Sequence, residues 1–267
     1  MAPCMSLSPF KSLFPLIALL VSMFLSPLSA SAEGTPYGVI SFDSAEMAEF
    51  NRPFKSFIAA VKRCPDRQAA LRFGAQMKRA WKVFEAKASS GLDDRARADL
   101  AAVAALLHLA VARADQGEMG EALETTIRVR TELYLLHERL GLLSSEDHMI
   151  YFHNGILHRL EPMVQEGRFQ ELEQMLPRME GSLRLFSVPP AYADESAYGK
   201  RYEVLKKAAQ DFAAAARRAA RYVDPEGGKA LLKRAMLRAF NHLHSAFGAL
   251  YLGFPSGVPS PVSFCGR

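Results

Sequence analysis

The chain has 267 residues, with 33 Lys and Arg against 28 Asp and Glu and a formal net charge of +5. Basic and acidic residues are interspersed, and no basic block with interleaved aromatic side chains occurs, which argues against nucleic-acid binding. No Cys-x-x-Cys-His motif and no four-cysteine spacing occurs, which excludes covalent haem attachment and cysteine-ligated zinc or iron–sulfur sites.

The first 32 residues have the pattern of a secretory signal peptide. Lys11 supplies a positive charge, an apolar run follows at 14–25, and small residues at 30–32 form a cleavage site. The run is short for a membrane span, although an uncleaved anchor is an alternative. We therefore expect an exported, soluble protein of the periplasm that does not span the membrane after cleavage. In that oxidising compartment Cys64 and Cys265 either form a disulfide or stay unpaired.

Beyond this segment, apolar residues recur at spacings of three and four, a period typical of amphipathic α-helices. Good helix formers such as Ala, Leu, Arg, Glu and Lys dominate the same segments, and there is almost no strand pattern. The sequence therefore predicts an all-α fold. Its eight predicted helices run roughly over 44–63, 66–89, 93–116, 119–140, 145–165, 168–186, 195–222 and 226–252.

Turn and capping residues separate the predicted helices. Gly117 and Gly167 stand at tight connections, where glycine accepts a positive φ at the end of a helix. Ser144-x-x-Asp147 has the spacing of a capping box and predicts the start of the fifth helix. The Pro-, Gly- and Ser-rich segment 253–267 predicts a flexible tail.

One pattern occurs at the start of both the first and the fifth helix. It reads Met47-x-x-Phe50-Asn51-x-x-Phe54 in the first helix and Met149-x-x-Phe152-His153-x-x-Ile156 in the fifth. In each half of the chain the fourth helix carries a histidine, His137 or His244. This repeat predicts two tandem antiparallel four-helix bundles, over 44–141 and 144–252, with a joint near Gly141–Ser145.

A tetratricopeptide-like α-solenoid is an alternative arrangement of the same helices. The turns at Gln116-Gly117 and Glu166-Gly167 resemble the turns of such hairpins. They are 50 residues apart, however, whereas that repeat has a period of roughly 34 residues. The spacing therefore favours the bundles.

A methionine on the first helix and a histidine on the fourth resemble the cytochrome b562 family of four-helix bundles. Glu146-Asp147-His148-Met149 is similar to the opening helix of that family. The segment 240–244 lies where the related cytochromes c′ carry Cys-x-x-Cys-His, with both cysteines absent. The resemblance covers about 45–140 and 145–252. It implies a b-type cytochrome that binds haem non-covalently and transfers electrons to a periplasmic redox partner.

The resemblance also implies the ligands of the haem iron. Met149 and His244 would hold one haem, and Met47 and His137 would hold a second, each through a thioether and an imidazole. One, two or no haems per chain are compatible with the sequence. With both axial positions filled by protein, no enzymatic activity is expected.

Further residues follow from the same resemblance. Phe152 and Phe240 would pack against the porphyrin, and His153, one turn after Met149, is an alternative ligand. The family's arginine one turn before the histidine is absent here, so Arg130 or solvent would pair with the propionates.

Pro53 offers an alternative for the first helix, which could begin at Arg52 with Asn51 as its N-cap. Met47 would then lie outside the helix, which would put the first haem site in doubt.

Two other classes of function stay open. In the first, the chain is a haem-free helical module that binds a partner protein in the cell envelope. In the second, it binds a divalent metal ion. His148, His153 and His158 recur every five residues, so an α-helix would spread them around its surface and keep them from sharing one metal ion. No catalytic Ser-His-Asp set, Cys-His pair or Gly-rich phosphate loop stands out.

Overall fold

The computed structural model describes residues 40–62, 66–222 and 228–253. Every regular element in these ranges is helical, so the expected all-α fold is confirmed. No described helix combines the length and apolar character that crossing a bilayer requires. The predicted signal peptide, Cys64, Cys265 and the tail from 254 onward lie outside the described residues.

Nine α-helices lie in the described part of the chain. They are α1 (Ala45–Lys62), α2 (Arg67–Ala88), α3 (Asp94–Asp115), α4 (Met119–Leu140), α5 (Ser145–Tyr151), α6 (His158–Glu166), α7 (Phe169–Arg184), α8 (Glu195–Ala220) and α9 (Gly228–Tyr251). A 3₁₀ turn, Ser89–Gly91, follows α2, and a π-helical segment, Phe152–Leu157, joins α5 to α6 without a break. The fifth predicted helix is thus α5, the π segment and α6 in sequence. All eight predicted helices are present, with ends within a few residues of those expected.

Local chemistry sets the helix ends. Gly117, Gly141 and Gly167 have φ values of +84°, +70° and +75°, a conformation that disfavours residues with a Cβ atom. The capping box predicted at Ser144 and Asp147 is confirmed in both of its hydrogen bonds. These short-range signals explain why the helix boundaries could be predicted.

The alternative start of the first helix is wrong. α1 begins at Ala45, and Ser44 Oγ accepts a hydrogen bond from the backbone N–H of Met47 at 3.0 Å. Pro53 lies inside the helix, and Asn51 is a fully buried helical residue rather than a cap. The physical reason is that Ser44 caps the helix ahead of Met47, so that Asn51 is not needed as a cap and its side chain bonds to Glu146 of α5 instead.

The helices pack as two sets. In the first set α1, α2, α3 and α4 follow one another as neighbours, and α1 also contacts α4. In the second set α6, α7, α8 and α9 do the same, and α6 contacts α9. The hydrophobic core runs continuously through both sets. The division into two domains at Gly141–Ser145 stays a prediction.

Candidate functional site

The first predicted ligand pair lies in the core. Met47 and His137 are both inaccessible to solvent. Nδ1 of His137 lies 2.8 Å from Oδ1 of Asp147, and the ring packs edge-on against Phe42 with the centroids 4.7 Å apart. Nε2 of His137 has no hydrogen-bond partner among the described atoms.

Asp147 connects this histidine to the capping box of α5. Its Oδ2 accepts hydrogen bonds from the backbone N–H of Ser144 at 2.9 Å and from the Ser144 hydroxyl at 2.8 Å. The contact between His137 and Asp147 therefore joins the end of α4 to the start of α5.

The members of the second predicted ligand pair, Met149 and His244, differ in their access to a cavity. Met149 is fully buried, whereas His244 lines a cavity of about 210 Å³ that Met149 does not line. The two predicted aromatic neighbours lie on this side of the molecule. Phe152 packs against Phe247 at 5.6 Å between centroids, and Phe240 packs beside His244 at 5.8 Å.

Instead of Met149, the structure brings His153 to His244. Their Nε2 atoms lie 3.2 Å apart, although the residues are 91 positions apart in the chain. The ring of His158 lies 4.5 Å from that of His153, and all three histidines line the cavity. His148 is not among the lining residues.

The expectation that His153 and His158 are spread around the helix is wrong, and the π-helical segment is the reason. In a π-helix the hydrogen bonds run from residue i to i+5, so residues five apart lie on the same face. The segment Phe152–Leu157 spans the interval between the two histidines.

A chain of hydrogen bonds orients the ring of His153. Nδ2 of Asn154 donates to Oγ1 of Thr131 at 3.0 Å, so Oδ1 of Asn154 faces Nδ1 of His153 at 2.7 Å. Nδ1 therefore carries the proton, and Nε2 presents a lone pair to His244 and the cavity. Burial, assisted by the nearby charge of Arg130, lowers the pKa of His153 well below its usual value. The ring is thus neutral at pH 7, which is the form that binds metal ions.

Arg130 forms another part of the cavity wall. It is only 3% exposed, its Nε has no hydrogen-bond partner, and its guanidinium forms no salt bridge with a carboxylate of the described residues. Lys62, Glu124 and Glu161 line the more exposed part of the cavity, and most of the other lining side chains are apolar.

Arg130 belongs to a buried cluster of charged and polar side chains, which we call the buried charge cluster. Its members are Lys55, Arg130, Glu146 and Tyr251. Nζ of Lys55 lies 2.9 Å from Oε1 of Glu146, and neither side chain is exposed. Lys55 and Arg130 both lie over the ring of Tyr251, at 4.3 Å and 5.2 Å from its centroid. Burial lowers the pKa of Lys55 to about 8, although Glu146 acts in the opposite direction.

Glu146 has two further partners. Nδ2 of Asn51 donates to its Oε2 at 2.9 Å, and the hydroxyl of Tyr192 donates to the same oxygen. The pairing of Lys55 with Glu146 was not predicted from the sequence. The available signal was Asn51 and Lys55, two polar residues four apart on the apolar stripe of α1 that also carries Phe54.

A haem does not fit the cavity with the side chains in these positions. The volume of about 210 Å³ is below the roughly 300–1,000 Å³ of typical ligand pockets. The Nε2 atoms of His153 and His244 are in direct contact, so no porphyrin ring fits between them. No methionine lines the cavity to provide the thioether ligand.

A single metal ion fits the two imidazoles better. A tetrahedral ion with metal–nitrogen bonds of about 2.0–2.1 Å holds two nitrogens about 3.3 Å apart, close to the observed 3.2 Å. Over the described residues, however, no three His, Cys, Asp or Glu side chains converge on one point where they could hold a metal ion.

Comparison with family models, curated proteins and solved structures finds no match to this chain. The candidate site therefore stands on its geometry.

Proposed function

We propose that this chain is an exported, non-enzymatic helical protein that binds a divalent transition-metal ion through Nε2 of His153 and Nε2 of His244. The separation of 3.2 Å between these nitrogens carries the proposal. The Asn154 contact supports it, because a ligating histidine usually has its other ring nitrogen held by a hydrogen-bond acceptor. Export rests on the signal-peptide pattern of the first 32 residues.

The sequence also predicted two other functions, a cytochrome and a haem-free module that binds a partner protein. The cytochrome stays a prediction. The convergence of His153, His244 and Arg130 on one cavity is in its favour, whereas the small volume and the absence of Met149 from the cavity lining argue against it. No observation on the described surface favours a particular protein partner for a haem-free module.

Titration of metal-free protein with Zn²⁺, followed with a competing chromophoric chelator, tests the proposal. We expect one ion per chain. Even residues that only orient a metal ligand contribute 10- to 100-fold to affinity. Replacing a ligand itself, as in His153→Ala or His244→Ala, should therefore weaken binding by at least about 100-fold. His242→Ala is the matched control, because His242 lies exposed on α9 two residues before His244 and should leave binding unchanged.

Two results would overturn the proposal. One is wild-type protein that binds no Zn²⁺, Cu²⁺ or Ni²⁺. The other is a His153→Ala/His244→Ala double variant that binds as the wild type does. Haemin is titrated in parallel, and a low-spin absorption spectrum that is lost in His244→Ala and Met149→Ala would establish the cytochrome instead.

A further inference from the structure

Two histidines leave the coordination of a metal ion incomplete. Zn²⁺ in proteins usually has four ligands. No third His, Cys, Asp or Glu of the described residues joins His153 and His244 in a metal-binding arrangement. As far as the described residues go, at least two coordination positions of an ion bound here are thus open to small molecules.

The wall of the same cavity carries an uncompensated positive charge. Lys55 and Arg130 lie over the same ring of Tyr251, and Glu146 is the carboxylate in contact with Lys55. Lys55 thus has a carboxylate partner, whereas Arg130 forms no salt bridge with a carboxylate of the described residues. A buried charge without a partner is unfavourable, and a bound dication would increase the imbalance.

The two carboxylates on the cavity rim do not compensate Arg130. Glu124 is exposed, and Glu161 is half-buried, where its Oε1 accepts a hydrogen bond from Nε2 of Gln165 at 3.2 Å. Neither forms a salt bridge with Arg130. The place of a counter-ion beside this guanidinium is therefore open to a ligand.

We infer that the protein takes up its metal ion together with a small chelating carboxylate, which pairs with Arg130 and completes the coordination of the ion at His153 and His244. This inference rests on the proposed function, because it requires a metal at the two histidines. A guanidinium and a carboxylate match in shape and form two parallel N–H···O hydrogen bonds. A cavity of about 210 Å³ has the volume of roughly seven water molecules, which suits a dicarboxylate of a few carbon atoms.

Malonate is the probe that tests this inference. The affinity of the full-length protein for Zn²⁺ is measured at matched free Zn²⁺ and ionic strength, with malonate or with chloride. We expect malonate to tighten Zn²⁺ binding by at least about tenfold. By linkage, Zn²⁺ must tighten malonate binding by the same factor.

Substitutions in α4 test whether Arg130 is responsible for the effect of malonate on Zn²⁺ binding. Arg130→Met should abolish the tightening by malonate. Its affinity for Zn²⁺ in chloride should be at least that of the wild type, because a nearby positive charge is removed, and this binding also shows that the variant is folded. Arg130→Lys should keep part of the effect, because it retains the charge but not the paired hydrogen bonds. Arg128→Met is the matched control, since Arg128 is exposed on the same helix and should leave the effect intact.

These measurements distinguish failure of the carboxylate inference from failure of the proposed metal site. If Zn²⁺ binds but malonate acts no differently from chloride, the carboxylate inference is wrong and the metal site stands. The inference is equally wrong if malonate binds with the same affinity in the absence of Zn²⁺, or if Arg130→Met still responds to malonate. If Zn²⁺ binds neither with nor without malonate, both proposals are wrong.

Discussion

At the scale of single residues, the contact between Lys55 and Glu146 concentrates charge where the core is otherwise apolar. The two side chains come from α1 and α5 and are completely buried. Such a pair contributes little net stability, because desolvation offsets much of the attraction between the charges. Removing one partner is costly, however, since the other then stays buried without a counter-charge.

We therefore expect Lys55→Met to lower the free energy of unfolding by roughly 3–5 kcal/mol. The double variant Lys55→Met/Glu146→Gln should lose clearly less than the sum of the two single variants. Its glutamine carries no charge and still accepts hydrogen bonds from Asn51 and Tyr192. Urea unfolding of the four proteins measures the coupling. Strictly additive losses would show that the two charges do not stabilise each other.

The histidines of the cavity and Lys55 show which parts of the site could be predicted from the sequence and which could not. His244 was predicted as a ligand from the family resemblance, and His153 as an alternative ligand because it lies one turn after Met149. Their contact with each other was not predicted. Lys55 was missed because a hydrophobic pattern shows which face of a helix is buried, but not which polar residue on that face finds a buried partner.

At the scale of the elements, helix starts and ends were predictable and the π-helical segment was not. Capping residues and glycines act within a few positions of themselves, so they can be recognised directly in the sequence. The change of hydrogen-bonding period at Phe152–Leu157 has no comparable residue signature. Because the α-helical period was assumed for this segment, His153 and His158 were predicted to lie on different faces of the helix.

Gly141, at the C-terminal end of α4, is expected to contribute to stability through its backbone conformation. Gly141 closes α4 with a φ of +70°, and a Cβ atom there would meet no other atom within 4 Å. The cost of Gly141→Ala is thus conformational and should be about 1–2 kcal/mol of unfolding free energy.

Gly199→Ala is the matched control for Gly141→Ala. Gly199 lies in α8, its φ is not positive and a Cβ atom there also has open space, so the variant should gain up to about 1 kcal/mol. Urea unfolding compares the two variants with the wild type. Equal stability of both variants would show that the backbone at Gly141 relaxes without strain.

At the scale of the whole molecule, two sets of helices share one core and several buried polar contacts. Lys55 of α1 and Arg130 of α4 both lie over the ring of Tyr251 in α9, and these contacts join the two sets. Lys55 also bonds to Glu146 of α5, which lies between the sets in the chain. The number of helices could be predicted because each amphipathic pattern is local. The meeting of residues from the two sets could not, because it depends on how distant helices pack.

These shared contacts predict that both sets unfold together. Trp81, the single tryptophan, lies buried in α2, so its fluorescence reports the first set, whereas far-UV circular dichroism reports all helices. The two urea transitions should coincide, as they do in a two-state reaction. Fluorescence and circular dichroism midpoints that differ clearly would instead support two independently folding bundles.

The π-helical segment has a consequence for the evolutionary history of the chain. A π turn closes its hydrogen bond one residue later than an α turn, so the segment holds one residue more than regular α-helix would. Loss of a single codon between His153 and His158 would restore the α-helical period and leave the two histidines four residues apart, a spacing that keeps them on one face of an α-helix. The flanking helices could remain. The pair of histidine rings is therefore compatible with a homologue in which this helix is one residue shorter and α-helical throughout.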